Sequence, residues 1–133
     1  MITCLNVWGK GFAVDEFLHR HKKIQATVIW REGEPRMRGK TQQNSGFKIE
    51  LEDTNSFPGG VSDLILNLQS LSVSLADART MGAACCLDIG LLVSLDRPVH
   101  TVHFPRELLL ELATQEVDLQ VSGYASSDKS NRG

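Results

Sequence analysis

A run of thirteen residues, Ala83 to Leu95, is the longest nearly uncharged apolar stretch of the chain, with Asp88 its only ionisable group besides the thiols of Cys85 and Cys86. Fully extended it would span at most about 45 Å, which is long for one strand. Apolar residues at successive positions indicate a strand covered on both sides, or by helices on one side and a partner on the other. A central strand, bent at Gly90 and with helices packed against it, is therefore expected.

At 133 residues the chain has the length of one domain, and such a chain buries roughly two-thirds of its unfolded surface. That provides a core without disulfide staples. Residues 1–124 read as a single α+β domain, and residues 125–133 as a disordered tail with nothing to bury. No apolar run reaches the about twenty residues of a membrane span. No basic leader followed by an apolar segment opens the sequence, so a cytoplasmic location is expected. The three cysteines include the adjacent Cys85 and Cys86, an odd set that reads as reduced thiols rather than a disulfide framework.

Ile2 to Trp8 carries apolar groups on both faces, as a strand inside a sheet does, and Gly9-Lys10-Gly11 turns the chain after it. Val14 to Arg20 reads as a short helix burying Val14, Phe17 and Leu18, with Asp15 and Glu16 in the first turn and His19 to Lys23 at the end, as the macrodipole favours. Ile24 to Trp30 is a β-branched strand. The polar excursion from Arg31 to Gly46 is sixteen residues long, longer than most loops without a function of their own. Phe47 to Glu52 alternates apolar and charged residues, a strand with one wet face that pairs with Ile24–Trp30. Asp53 to Gly60 is turn chemistry.

Val61, Leu64, Leu68, Leu71, Leu75 and Ala78 then recur every three or four residues, one stripe of a single helix with Ser62 as N-cap and Gly82 just past its end. Gln69 to Leu75 also alternates as a strand would, but the stripe continues on both sides of it and favours helix. Val99 to Phe104 is extended. Pro105 opens a helix to Gln115 that buries Leu108, Leu109, Leu112 and Ala113. Val117 to Val121 is a last strand, closed by Tyr124. The sum is an α+β fold, a mostly antiparallel sheet of five to six strands with two to three helices packed on one face.

The net charge of −2 is unevenly spread: residues 1–48 balance at +5 and residues 49–133 at −7. Such asymmetry favours oriented association, provided the two halves do not interleave in the fold. His19-x-His21 and His100-x-x-His103 lack metal-ligand spacing on a helix or strand, so no metal and no cofactor is expected. Gly9-Lys10-Gly11 lacks the third glycine and downstream acid of a nucleotide site. Asp88 reads as a structural carboxylate paired near Gly90; a site carboxylate, approached by His103, is the alternative.

Trp30-Arg31-Glu32-Gly33-Glu34-Pro35, Ser45-Gly46-Phe47, Leu87-Asp88-Ile89-Gly90-Leu91 and Leu119-Gln120-Val121-Ser122-Gly123-Tyr124 resemble a family of small bacterial domains catalogued as domain of unknown function four-two-seven-nine. The resemblance implies a standalone α+β domain without an assigned activity and without catalytic residues to carry over. It also implies kinship with domains that look like immunity components beside polymorphic toxins.

The expected function is therefore non-enzymatic: a protein-binding domain, monomer or homodimer, whose sharpest version is an immunity protein that occludes a cognate toxin by charge complementarity. Arginine supplies planar, bidentate recognition of carboxylates or phosphates. The loop residues Trp30, Arg31, Arg36, Arg38 and Lys40 are the first candidates, and the acidic Glu50, Glu52 and Asp53 the second, preferred if the target is a basic nuclease cleft. A nucleic-acid-binding module using the Arg31–Lys40 loop and a small enzyme built around Asp88 are the rival readings.

Overall fold

The computed structural model describes residues 2–51 and 60–126. Their order is β1 (Ile2–Gly9), α1 (Val14–Arg20), β2 (Val28–Trp30), β3 (Ser45–Leu51), α2 (Val61–Ser70), α3 (Ser72–Thr80), β4 (Ala84–Ser94), α4 (Arg106–Thr114) and β5 (Val117–Ser126). The five strands form one sheet in the order β2-β3-β1-β4-β5. All neighbours are antiparallel except β4 and β5, which are parallel and joined through α4. The class is α+β, with four helices rather than two to three.

The apolar run is β4, and its place differs from the expectation. β1 holds the middle of the sheet, and β4 lies between β1 and β5. Its long apolar character has two causes. Cys85, Leu87 and Ile89 face the helices and are buried, and the strand outruns β1: Ile2 pairs with Gly90, after which β5 is the one strand beside β4 among the described residues. Gly90 is open to the ring of Tyr124, because a Cβ there would lie 3.1 Å from that ring.

Alternation decides which face each strand buries. Leu5 and Val7 of β1, Phe47 of β3, and Leu87 and Ile89 of β4 are fully buried beneath Phe17, Leu68, Leu75 and Leu108 of the four helices. Phe17 stacks on Phe47 with ring centroids 5.4 Å apart, fixing α1 over the sheet. The stripe through Val61, Leu64, Leu68, Leu75 and Ala78 is buried as its spacing predicts. Leu109 and Ala113 of α4, expected inside, are exposed; only Leu108 and Leu112 of that helix reach the core.

The single long helix is in fact two. Leu71 (φ −95°, ψ 1°) separates α2 from α3. The Ser70 hydroxyl donates to the carbonyl of Asn67 at 2.7 Å, a back-bond that bends helices. The Leu68 carbonyl at the break accepts from the amide of the buried Gln115 at 2.9 Å. α2 begins at Val61 with Gly60, not Ser62, as its N-cap. The end of α3 does follow the sequence: Gly82 (φ +88°) closes it, with the Gly82 and Ala83 amides returning to the Arg79 and Ala78 carbonyls.

β2 is shorter than Ile24–Trp30. The Thr27 amide still donates to Lys48, but the Thr27 hydroxyl takes the Glu50 amide in place of a backbone carbonyl, and the ladder stops there. Pro105 is the N-cap of α4 rather than its first residue. β5 runs on through Ala125 and Ser126, two residues assigned to the tail on sequence; the rest of that tail, 127–133, lies outside the described residues.

Candidate partner-binding face

Among the described residues all four helices lie on one side of the sheet, and none covers the other side. Register places Trp30, Gly46, Trp8 and Ala84 in one row across four strands of this open face. The next row holds Val28, Lys48, Asn6, Cys86 and Asp118, and the one after it Glu50, Cys4, Asp88 and Gln120. In the first row two large rings alternate with two small residues. Gly46 is required there: a Cβ would lie 2.6 Å from the Trp30 ring and 2.7 Å from Cβ of Trp8.

The sixteen-residue excursion is hydrogen-bonded rather than loose. The Gly33 amide donates to Gln42, Gln42 returns to Glu34, and Arg36 donates to Lys40, with Pro35 bridged to Thr41. The result is a narrow hairpin tipped by a single 3₁₀ turn, Met37–Gly39, in which Arg38 adopts φ +62°. Trp30 donates its indole N–H to Oδ1 of Asn44 at 2.8 Å, and Ser45 Oγ accepts from the Glu32 amide at 2.9 Å. These bonds fold the hairpin toward the open face. A depression of about 440 Å³ opens between the two, lined by Asn6, Trp8, Trp30, Arg36, Gln42, Asn44, Cys86 and Gln120.

Chemically the depression offers, among the described residues, two indoles, four carboxamides and one guanidinium, and no carboxylate. Burial pushes its Cys86 thiol up, and Asp118 and Asp88 push it the same way. Burial also raises Cys4, in the same face. Among the described residues, Arg36, Arg38 and Lys40 of the hairpin have no carboxylate within ion-pair distance, so three cations within five residues are free to meet an acidic ligand.

The candidate residues separate accordingly. Trp30 and Arg36 line the depression; Arg38 and Lys40 sit exposed at the hairpin tip beyond it. Arg31 does not join them. Its guanidinium grips Asp15 of α1 through Nε at 2.9 Å and Nη2 at 2.7 Å, and Glu34 accepts from its amide. That bond holds the Asp15 carboxyl below its usual range. Arg31 is a strut between helix and hairpin. Glu50 is exposed and borders a different depression, of about 490 Å³, where the shortened β2 leaves space against α2. Glu52 and Asp53 lie outside the described residues.

Asp88 faces the open side, between Cys4 and Gln120 in register. Its Oδ1 is buried with no hydrogen-bond partner among the described residues, so the pairing expected of it near Gly90 is not seen at that oxygen. Trp8, Asn6, Gln42, Asn44 and Gln120 were not singled out by sequence. The signal for Trp8, Asn6 and Gln120 was alternation in β1 and β5, legible as a shared face only once the register is known, and Gln42 and Asn44 join them through the hairpin.

A second cluster was also missed. His21 at the end of α1 stands 2.6 Å through Nε2 from Oδ2 of Asp77 and 3.0 Å through Nδ1 from Oγ of Ser74, and its ring lies tilted against Phe17 with centroids 4.4 Å apart. Ser74 and Asp77 are one turn apart on α3, and Arg20 reaches the same carboxylate at 3.5 Å. His21 first, then Arg20, holds Asp77 below the usual carboxylate range. Both ring nitrogens are thereby occupied by α3, and the cluster ties α1 to α3.

Among the described residues, no group of three or more His, Cys, Asp or Glu could hold a metal ion, and no helix is long and apolar enough to cross a membrane. The fold and this face define a class: an α+β domain with helices on one side of its sheet and a concave, aromatic and cationic surface on the other. Comparison with family models, with curated proteins and with solved structures found no match for the chain.

Proposed function

We propose that this chain is a non-enzymatic binding domain whose open sheet face and hairpin take an acidic surface of a protein partner. The observation that carries the reading is the Trp8–Trp30 depression roofed by a hairpin whose Arg36, Arg38 and Lys40 have no carboxylate within ion-pair distance among the described residues. Indoles beside a guanidinium are the residue types that dominate binding energy at protein interfaces, and complementary charge orients the encounter. The sharpest version, an immunity protein that occludes a toxin in the cytoplasm, rests on the family resemblance and on this charge complementarity. The basic hairpin, rather than Glu50, is the surface assigned to the partner, because Glu50 stands apart from the aromatic row.

The test is affinity capture of the tagged chain from its source lysate at low salt, comparing the parent, Arg36→Ala/Arg38→Ala and Arg31→Ala. One stoichiometric protein, lost with the double variant and kept with Arg31→Ala, is the expected result. For the immunity version, co-expression of the chain should also relieve that protein's toxicity. Return of the chain alone, or a partner indifferent to Arg36 and Arg38, refutes the reading.

A second reading has its own support, because the fold brings two indoles to the basic hairpin, and stacking beside cations is how single-stranded nucleic acid is held. A single-stranded oligonucleotide that quenches tryptophan emission, with affinity falling steeply as salt rises, would favour it over a protein partner.

A further inference from the structure

The two edges of the sheet are unlike. β2 is three residues long and leads directly into the hairpin, the kind of short edge that resists adding a strand. β5 is ten residues long, contains one charged residue, Asp118, and has neither lysine nor proline. Among the described residues β4 is its one strand neighbour. Its exposed residues include Val121 (43%) and Tyr124 (58%), and the neighbouring α4 exposes Leu109 and Leu110 (66%).

The end of this edge is weakly supported. Past Gly90, β4 no longer has β1 beside it, so Leu91–Ser94 and Gly123–Ser126 form a two-stranded parallel ribbon projecting from the sheet. A two-stranded ribbon is marginal in water, and parallel pairs are ordinarily covered. Leu92 at its side is 74% exposed.

We propose that the β5 edge pairs antiparallel with β5 of a second copy of this chain, giving a twofold dimer with one continuous ten-stranded sheet. A twofold axis perpendicular to the sheet keeps the helices of both copies on the same side and sets one residue of β5 opposite its own copy, and the overlap of the two strands is greatest with that centre at Val121 or Ser122. A centre at Ser122 sets the projecting Gly123–Ser126 of each copy against Asp118–Val121 of the other, and a centre at Val121 sets Gly123–Ala125 against Val117–Leu119, the supported half of β5 in both cases. The unsupported ends are thereby covered by the parts of the strand that β4 and β1 hold in place, which a shorter foreign strand would not do symmetrically. Asp118 meets Tyr124 or Ser126, and the two Asp118 residues stand about 20–27 Å apart at roughly 3.4 Å per residue, beyond a Debye length of about 8 Å. No like charges oppose each other directly. The acidic balance of residues 49–133 still repels at longer range, so the dimer tightens as salt rises.

Sedimentation equilibrium of the full chain tests this. The expected mass is twice the 14.7 kDa of one chain, with a dissociation constant that falls between low and moderate salt. Val121→Lys/Tyr124→Lys, both at exposed positions, should return a folded monomer by circular dichroism and raise that constant by at least about 100-fold. Independently of that variant, Val121→Cys or Ser122→Cys, whichever lies on the axis, should form an intermolecular disulfide on mild oxidation, whereas Leu66→Cys on α2 should not. A monomer at all concentrations and salts, a dimer that survives the folded lysine variant, or failure of both axis cysteines to cross-link would overturn the proposal.

Discussion

Gly46→Ala tests the architecture of the candidate site at its most crowded point. Gly46 has no positive φ, so at an open position alanine would stabilise by about 0.4–1 kcal/mol through the unfolded chain. The structure reverses the sign. The new Cβ would stand 2.6 Å from Cζ2 of Trp30 and 2.7 Å from Cβ of Trp8, and it would press on the carbonyl oxygen of Val7. Comfortable carbon–carbon separation is about 3.5–4.0 Å. The Trp30 ring can swing aside, but Val7 and Cβ of Trp8 belong to the β1–β3 ladder and can move only if the strands part. Overpacking typically costs about 1–3 kcal/mol, and a backbone clash belongs at the upper end. With an unfolding entropy of about 2.1 cal/mol/K per residue, hence roughly 280 cal/mol/K for 133 residues, a loss of about 3 kcal/mol lowers the midpoint by roughly 10 °C. Thermal unfolding by circular dichroism reads that shift. Tryptophan emission reads its origin, because the chain's two tryptophans both flank Gly46, and displacing Trp30 outward shifts emission to the red. A midpoint within about 2 °C of the parent with unchanged emission would refute the packing argument, and with it the Trp8–Trp30 depression.

Arg31→Ala should speed amide exchange at Gly33 and Gln42 by releasing the hairpin from Asp15, with little change in the global unfolding midpoint, as expected of an exposed ion pair. Burial lifts the Cys85 thiol from about 9 to about 11, so its contribution to stability is complete below pH 9 and is lost as pH rises toward 11. Denaturant titrations should therefore show Cys85→Ala less stable than the parent at pH 7, with the gap narrowing through that window. The Asp77 carboxyl is held below its ordinary value of 3.8, so its contribution is present above about pH 4 and lost as pH falls further. Asp77→Asn should flatten that acid limb in pH-dependent unfolding; an unchanged limb would show that His21 and Asp77 do not interact in solution.

The sequence made legible what one side chain and its near neighbours determine. Apolar groups on both faces marked β1, period-two alternation marked β3, period-three-and-four spacing marked the helical stripe, and Gly82 marked its end, because each is a local consequence of backbone geometry. What it hid depends on partners far along the chain. The hairpin's polar composition read as a loop because its stability lies in backbone bonds such as Gly33 to Gln42, which carry no side-chain signature. Arg31 read as a binding residue because its carboxylate, Asp15, is sixteen residues earlier on another element. The break at Leu71 left no gap in the apolar spacing, being made by a serine hydroxyl on the exposed side. Trp8 and Trp30, twenty-two positions apart, become one site through the glycine between them in register.

The charge asymmetry of the sequence survives folding for a topological reason. Residues 1–48 supply β1, β2 and most of β3, contiguous on one side of the sheet, while residues 49–133 supply β4 and β5 on the other. Apart from residues 49–51 at the end of β3, which put Glu50 on the basic side, the halves do not interleave in the strand order, so a difference along the chain becomes a difference across the open face. Lys48 and the hairpin cations lie toward β2, and Asp88 and Asp118 toward β5. The two surfaces argued above then fall at opposite poles and carry opposite salt dependence. An acidic partner at the hairpin loosens as ions screen attraction, whereas self-association at β5 tightens as ions screen repulsion. A titration in salt that reads complex and dimer together separates them by sign alone, since association through a single shared surface would move both in the same direction.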